Sequence, residues 1–63
     1  MIWQIHAPHM TAGLVIEGNY VVKTAPILGY MGPKKGSKFG WTARSVMTYC
    51  HKKGWKIVTL EDV

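Results

Sequence analysis

The stretch "AGLVIEGNYVVKT", residues 12–24, has two runs of β-branched and aliphatic residues on either side of Gly18 and Asn19. Valine and isoleucine are enriched in strands because their branched side chains pack well on a pleated surface. Glycine followed by asparagine accepts the positive φ angles of a two-residue hairpin turn. The stretch therefore predicts an antiparallel hairpin, and the rest of the domain is expected to fold around it.

A two-residue turn also predicts which residues of the hairpin face each other. Ile16 is then opposite Val21, and Val15 is opposite Val22. One face would carry Leu14, Ile16 and Val21 with Lys23 at its end, and the other Val15, Glu17, Tyr20 and Val22. Neither face is cleanly polar, whereas a small antiparallel sheet usually keeps one polar side toward water.

The second apolar face of the hairpin needs a cover that one helix layer cannot provide. Large exposed apolar patches are rare on soluble monomers, and a two-fold pair of chains buries the same patch twice. We therefore predict a homodimer with Val15, Val22 or Tyr20 near the contact. In the alternative, residues 25–31 and the aromatics of the following loop fold over the open face and complete the monomer.

Shorter patterns predict the elements on either side of the hairpin. Residues 2–6 (IWQIH) are rich in strand formers and are followed by Pro8, which cannot donate to a strand ladder. Residues 55–60 (WKIVTL) predict the last strand. Pro26 favours the start of a short helical turn near 26–31. The residues of this turn expected to face inward are Ile27, Leu28 and Met31.

The main helix is predicted at about residues 42–53. Thr42 is a suitable N-cap because its hydroxyl can accept a hydrogen bond from a first-turn N–H group. Gly54 suits the left-handed residue that ends a helix, after which Trp55 could pack back on the helix. Apolar residues at helical spacing predict one inward stripe, formed by Ala43, Val46, Met47 and Cys50.

Taken together, these elements predict a single α+β domain over residues 1–63. It would hold a small antiparallel sheet, made of three N-terminal strands and a C-terminal strand, packed on the main helix. Cys50 is the only cysteine, which excludes a disulfide framework. No apolar run approaches the roughly 20 residues that cross a membrane, and the N-terminus lacks the features of a signal peptide. We therefore expect no membrane partner and a cytoplasmic location.

Basic residues are unevenly spread along the chain. The formal net charge is +5, from eight Lys and Arg against three acidic residues, and seven of those eight lie from Lys34 onward. Such an asymmetry indicates an acidic partner, either nucleic acid or an acidic host protein. A solvated loop and helix that keep a small domain soluble would give the same composition.

The loop "GYMGPKKGSKFGW", residues 29–41, combines glycines, lysines and aromatics ahead of the main helix. Cations and free N–H groups bind phosphates, and aromatic rings stack on unpaired bases. The residues predicted to bind nucleic acid, from this loop and the polar face of the helix, are Lys34, Lys35, Lys38, Phe39, Trp41, Arg44, Thr48, His51 and Lys52. In the competing interpretation the loop is a solvated connector whose aromatics fold back over a small core.

A metal site is not expected. The segment "HAPH", residues 6–9, supplies two histidines, whereas a structural zinc site needs four ligands. Cys50 and His51 are adjacent on the predicted helix and therefore point in different directions. We expect no cofactor, and we expect the two N-terminal histidines to bond nearby backbone groups.

Catalytic residues are not predicted either. The sequence shows no carboxylate pair on a common element and no Ser-His-Asp order in a supporting context. One enzymatic alternative is left open: His6 or His9 could act as general base in a small ribonuclease-like toxin, with Lys34 or Arg44 steadying the phosphate.

Three segments resemble small proteins encoded in bacteriophage and prophage genomes: "HAPHMTAGLVIEG", "VVKTAPILGYM" and "SVMTYCHKKGWKIV". A His-x-Pro-His start, an Ala-Pro-Ile step and a Lys-Gly-Trp close recur in those proteins, which are mostly uncharacterised. The loop "GPKKGSKFG" is longer here than the corresponding link in them. The resemblance implies a phage origin and assigns no role to any residue, but short phage proteins are often non-enzymatic binders of host proteins or nucleic acid.

The sequence therefore predicts a small basic protein of phage origin that acts by binding and not by catalysis. In the first hypothesis it binds nucleic acid through the glycine- and lysine-rich loop and the polar helix face. In the alternative it is an interaction protein that inhibits or modulates a host protein, through the apolar sheet face or the same basic surface.

Overall fold

The fold, seen in a computed structural model that describes residues 1–60, is a small antiparallel sheet with helices on one side. The elements in chain order are β1 (Ile2–Ala7), β2 (Met10–Glu17), β3 (Tyr20–Thr24), a 3₁₀ helix (Pro26–Met31), α1 (Ala43–Lys53) and β4 (Lys56–Leu60). The strands lie in the order β3-β2-β1-β4 and every neighbouring pair is antiparallel. The predicted α+β class and its elements are confirmed. Neither helix in residues 1–60 is long and apolar enough to cross a membrane.

The β2–β3 hairpin closes with the predicted two-residue turn. Glu17 pairs with Tyr20, so Gly18 and Asn19 form the turn itself. Gly18 has a φ of 61°, and no non-glycine residue in the described part of the chain has a positive φ. A positive φ at the first turn position alone is the pattern of a type II′ turn, which matches the right-handed twist of the strands.

A β-bulge in β3 changes the register beyond the turn. Ile16 pairs with Val21 as predicted, but Val15 pairs with Lys23, so the predicted pairing of Val15 with Val22 is wrong. Val22 is the extra residue of the bulge, and one extra residue shifts every later pair in the ladder. As a result Lys23 lies on the same face as Val15 and not at the end of the core face.

The covered face of the sheet forms the floor of the core. The side chains buried on it are Trp3, Ile5, Ala12, Leu14, Ile16 and Val21. The layer above consists of Leu28 and Met31 from the 3₁₀ helix and Val46 and Cys50 from α1, none more than 1% exposed. No polar side chain is buried in residues 1–60. Apolar burial is therefore the main source of stability.

Two residues predicted to face the core lie on the surface instead. Met47 is 49% exposed and Ile27 is 53% exposed. Successive residues of a helix point about 100° apart, so Val46 can face the sheet while the residue after it faces water. The inward stripe of α1 is narrower than the sequence pattern suggested, because α1 meets the sheet through Val46 and Cys50.

Both predicted ends of α1 are confirmed. The Thr42 hydroxyl oxygen accepts a hydrogen bond from the Ser45 N–H at 3.1 Å. Gly54 has a φ of 74°, in the left-handed region that ends helices. Trp55 then returns toward the helix, and its N–H donates to the Cys50 carbonyl at 2.8 Å.

The segment just before α1 is held as an extra strand-like edge beside β3. Val21 donates to the Trp41 carbonyl at 2.8 Å, and Gly40 donates to the Val21 carbonyl at 2.7 Å. The Trp41 N–H also donates to the Met31 carbonyl at 2.9 Å. Gly40 packs so closely that a Cβ there would overlap the backbone of Met31 and Gly32. The start of α1 is therefore fixed by backbone pairing.

Gly40→Ala should destabilise the protein, because the added methyl group meets backbone atoms that cannot move aside. Overpacking of this kind typically costs about 1–3 kcal/mol. Gly29→Ala is the matched control, since nothing lies within 4 Å of a Cβ at Gly29. Urea unfolding of the two variants compares them directly. Equal stability of both would show that the close approach at Gly40 is not a constraint.

Met31→Ala and Met47→Ala make the same chemical change at a buried and an exposed site. Met31 is 0% exposed, so we expect its truncation to lower the free energy of unfolding by about 2–5 kcal/mol. The exposed Met47 should change it by less than about 0.5 kcal/mol. Thermal unfolding followed by circular dichroism measures the stability of both variants. A larger loss of stability for Met47→Ala would mean that Met47 and not Met31 is buried, which would contradict the orientation of α1.

Candidate nucleic-acid interface

A groove runs along the solvent side of α1. Its volume is about 420 Å³, within the roughly 300–1,000 Å³ that is usual for ligand sites. The residues that line it are Trp41, Thr42, Arg44, Ser45, Thr48, Tyr49 and Lys52. Four of the nine residues predicted to bind nucleic acid therefore meet in one concave site: Trp41, Arg44, Thr48 and Lys52.

Helical spacing explains why these side chains share one side of α1. Within α1, Ser45, Thr48 and Lys52 follow one another at intervals of three and four residues, which places them on one face. Trp41 lies before the N-cap Thr42, and its ring reaches this side of the helix by packing on Tyr49. Tyr49 lies beside this row, toward the core. The sequence reasoning missed Thr42, Ser45 and Tyr49 as groove residues, although helical spacing counted back from Lys52 would have pointed to Tyr49 and Ser45.

Aromatic side chains form one wall of the groove. The ring centre of Trp41 lies 5.9 Å from that of Tyr30 and 5.4 Å from that of Tyr49, both in edge-to-face geometry. Tyr49 contacts Trp55 at 5.6 Å, and Trp55 contacts His9 at 5.5 Å. Such T-shaped contacts are favourable beyond the area they bury. The Trp41 ring is therefore held from two sides by a chain of rings that reaches the β1–β2 turn.

The groove is positively charged, and its two cations have no carboxylate partner within residues 1–60. Glu17 is the only acidic residue in residues 1–60, and neither Arg44 nor Lys52 forms an ion pair within that part of the chain. Burial, together with the hydrogen bond to Tyr49, raises the pKa of Tyr30 to about 12. The charged side chains that line the groove are Arg44 and Lys52.

The loop lysines lie outside the groove. Residues 34–37 form a turn in which the Ser37 N–H donates to the Lys34 carbonyl at 2.9 Å, and Gly36 has the φ of 84° that a type II turn needs at its third position. Lys34, Lys35 and Lys38 are all exposed and none lines the groove. They add positive charge at the surface without shaping the site.

Two further predicted residues also lie away from the groove. The ring of Phe39 packs 5.2 Å from that of Tyr20, beside β3, and Phe39 is 52% exposed. His51 is exposed and follows Arg44 by two helical turns, on the flank opposite the aromatic wall. The two aromatic residues at the end of the loop therefore differ in position: Trp41 packs toward the core and Phe39 lies at the surface.

The N-terminal histidines take part in surface packing. The Nε2 atom of His6 lies 2.8 Å from Oε1 of Gln4, so it bonds a side chain and not the backbone as predicted, while His9 packs on Trp55. Among residues 1–60, no three His, Cys, Asp or Glu side chains lie close enough to hold a metal ion. Burial raises the pKa of the Cys50 thiol, which disfavours the thiolate form needed for nucleophilic chemistry.

Comparison of the chain with protein-family models, with curated proteins and with solved structures gave no match. The resemblance to phage proteins therefore remains a hypothesis about origin. Function is inferred from the chemistry of the groove and from the surfaces around it.

Proposed function

We propose that this is a small basic binding protein that acts without catalysis and binds nucleic acid at the groove of α1. The observation that carries the proposal is that an aromatic wall lies beside two cations that have no carboxylate partner in the described part of the chain. Phosphates need cations and bases need flat apolar surfaces, and this groove offers both. In keeping with the proposed phage origin, its place of action would be the cytoplasm of a host cell.

The two cations are placed to contact different phosphates. Arg44 and Lys52 are eight residues apart on α1, which is about 12 Å along a helix axis. The guanidinium of Arg44 can bind a phosphate through two parallel hydrogen bonds, whereas Lys52 acts as a point charge. Thr48 lies between them and adds a hydroxyl group. The lysines of the 34–38 loop would raise the rate of encounter with a polyanion.

Neutralising the two groove cations should weaken nucleic-acid binding and its salt dependence. For Arg44→Gln with Lys52→Gln, each lost phosphate contact should lower the log–log salt slope by about 0.7–0.9. The matched control is Lys23→Gln with Lys56→Gln, which removes the same charge from the opposite, open face of the sheet. Titration of labelled DNA and RNA at several salt concentrations provides the measurement.

The loop variant Lys34→Ala, Lys35→Ala, Lys38→Ala tests whether the loop lysines contact the bound nucleic acid or only attract it electrostatically before it binds. If these lysines only steer, the association rate should fall while the dissociation rate stays close to that of the wild type. Equal losses of affinity in the groove variant and in the sheet-face control would show that binding depends on net charge alone, which would contradict a defined site in the groove. No binding to any nucleic acid at low salt would contradict the proposed function as a whole.

A second candidate function is self-association through the open face of the sheet. Leu60, Ile2 and Val15 are cross-strand neighbours in one row, and Leu60 and Ile2 are 40% and 37% exposed. Beside this row lies a groove of about 260 Å³ with a mainly apolar lining and Lys23 at its edge. The other end of the same face is polar, since it carries His6 and neighbouring polar side chains.

The contact proposed for a dimer differs in part from the one predicted. Val15 belongs to the apolar row, whereas Val22 is the bulge residue and the ring of Tyr20 packs on Phe39. We therefore centre the dimer contact on Ile2, Val15 and Leu60. A second copy is the proposed occupant, because a two-fold axis places the same apolar row on both sides of one interface. A host protein that binds this row is the alternative.

Val15→Lys should prevent dimer formation, since it puts a charge in the centre of the apolar row. Thr11→Lys is the matched control, because Thr11 lies on the same strand and the same face, at its polar end. Sedimentation at tens of micromolar measures the mass of each chain. A wild-type mass of one chain would rule out the dimer and leave a host protein as the candidate occupant.

A further inference from the structure

The shape of the groove distinguishes between the two forms of nucleic acid. A protein reads duplex DNA by inserting a protruding helix or ribbon into the major groove. The solvent side of α1 is instead the floor of a shallow, open groove, with the Trp41 ring as part of its lining. Bases of a duplex are stacked inside the double helix and cannot reach a ring in that position. An unpaired base can reach it.

The Trp41 ring is preorganised for stacking. Its edge-to-face contacts with Tyr30 and Tyr49 fix its orientation before any ligand arrives, so little side-chain freedom is lost on binding. Phe39, the other large aromatic of the loop, is 52% exposed and lies outside the groove. The two rings therefore differ in position: Trp41 lines the same groove as Arg44 and Lys52, whereas Phe39, next to Lys38 in the loop, does not line it.

The polar groups of the groove offer little means of reading a base. The Ser45 hydroxyl oxygen already accepts from the Thr42 hydroxyl at 2.8 Å, while the Thr42 oxygen accepts the Ser45 N–H. The Thr48 hydroxyl is left without a hydrogen-bond partner among residues 1–60. Two short hydroxyl groups, that of Thr48 and that of Ser45, which can still donate, beside an aromatic wall suit stacking that tolerates any base.

We propose, on the basis of the proposed function, that the groove binds one unpaired nucleotide of a single-stranded nucleic acid. Its base stacks on Trp41, and the flanking phosphates lie against Arg44 and Lys52. The volume of about 420 Å³ is large enough for one nucleotide. The protein thus selects single strands over duplexes, with weak preference for base identity.

The test compares three probes at low salt by fluorescence anisotropy and competition: a labelled single strand of about twelve nucleotides, the same strand in a duplex, and free adenosine monophosphate. The single strand should bind more tightly than the duplex. Trp41→Leu should weaken single-strand binding roughly 5- to 150-fold, the range expected for loss of one stacked base. Trp41→Tyr should restore most of it, and Phe39→Leu should bind like the wild type.

Folding of each variant is checked by circular dichroism. If Trp41→Leu does not fold, Thr48→Glu serves in its place, because it puts a carboxylate into the groove at an exposed position of α1 and should abolish single-strand binding. Equal affinity for duplex and single strand, with Trp41→Leu and Thr48→Glu both like the wild type, would overturn the inference. Weaker binding by the Arg44→Gln, Lys52→Gln variant would still support the proposed function in that case.

Two other results would also overturn the inference. Free adenosine monophosphate that competes as well as the strand would mean that the groove is a mononucleotide site. If none of the three probes binds, both the proposed function and the inference drawn from it are contradicted.

Discussion

The backbone ladder between β3 and the segment before α1 is the constraint on which the site depends. The reciprocal bonds between Val21 and residues 40 and 41 set the place and direction in which α1 begins. They also tie the end of a glycine-rich loop to the sheet, so that the helix packs with Val46 and Cys50 inward. Because backbone bonds are directional, small changes in this ladder would move every side chain of the groove.

Because the start of α1 is fixed in this way, the side chains of the helix line the groove. One side of α1 completes the core, and the side next to it carries the row from Ser45 to Lys52. The ring chain from Tyr30 to Trp55 connects the groove wall to the 3₁₀ helix, to α1 and to the β1–β2 turn. The site is therefore supported by ring contacts from several separate elements of the domain. A rigid scaffold that presents cations and one ring suits the binding of a flexible polyanion.

The two sides of the molecule present different surfaces. The groove side has Arg44 and Lys52 next to an aromatic wall, and the open side of the sheet has an apolar row at one end and polar side chains, including Lys56, at the other. A chain of 63 residues cannot bury both faces of a four-stranded sheet with one helical layer. The apolar row on the open face is exposed because the chain is too short to cover it. The two proposed functions therefore use opposite sides of the sheet and helix.

The sequence by itself determined the elements, because their signals are local: turn residues at 18 and 19, a threonine cap, a glycine stop and the periodicity of each run. It also located four of the site residues: Arg44, Thr48 and Lys52 through helical spacing, which is a local property, and Trp41 through the aromatic content of the loop. The tertiary structure alone decided the bulge at Val22, the exposure of Met47, the place of β4 beside β1 and the exclusion of the loop lysines from the groove. Each of these depends on which distant segments meet. No single stretch of the sequence shows which distant segments will pack together.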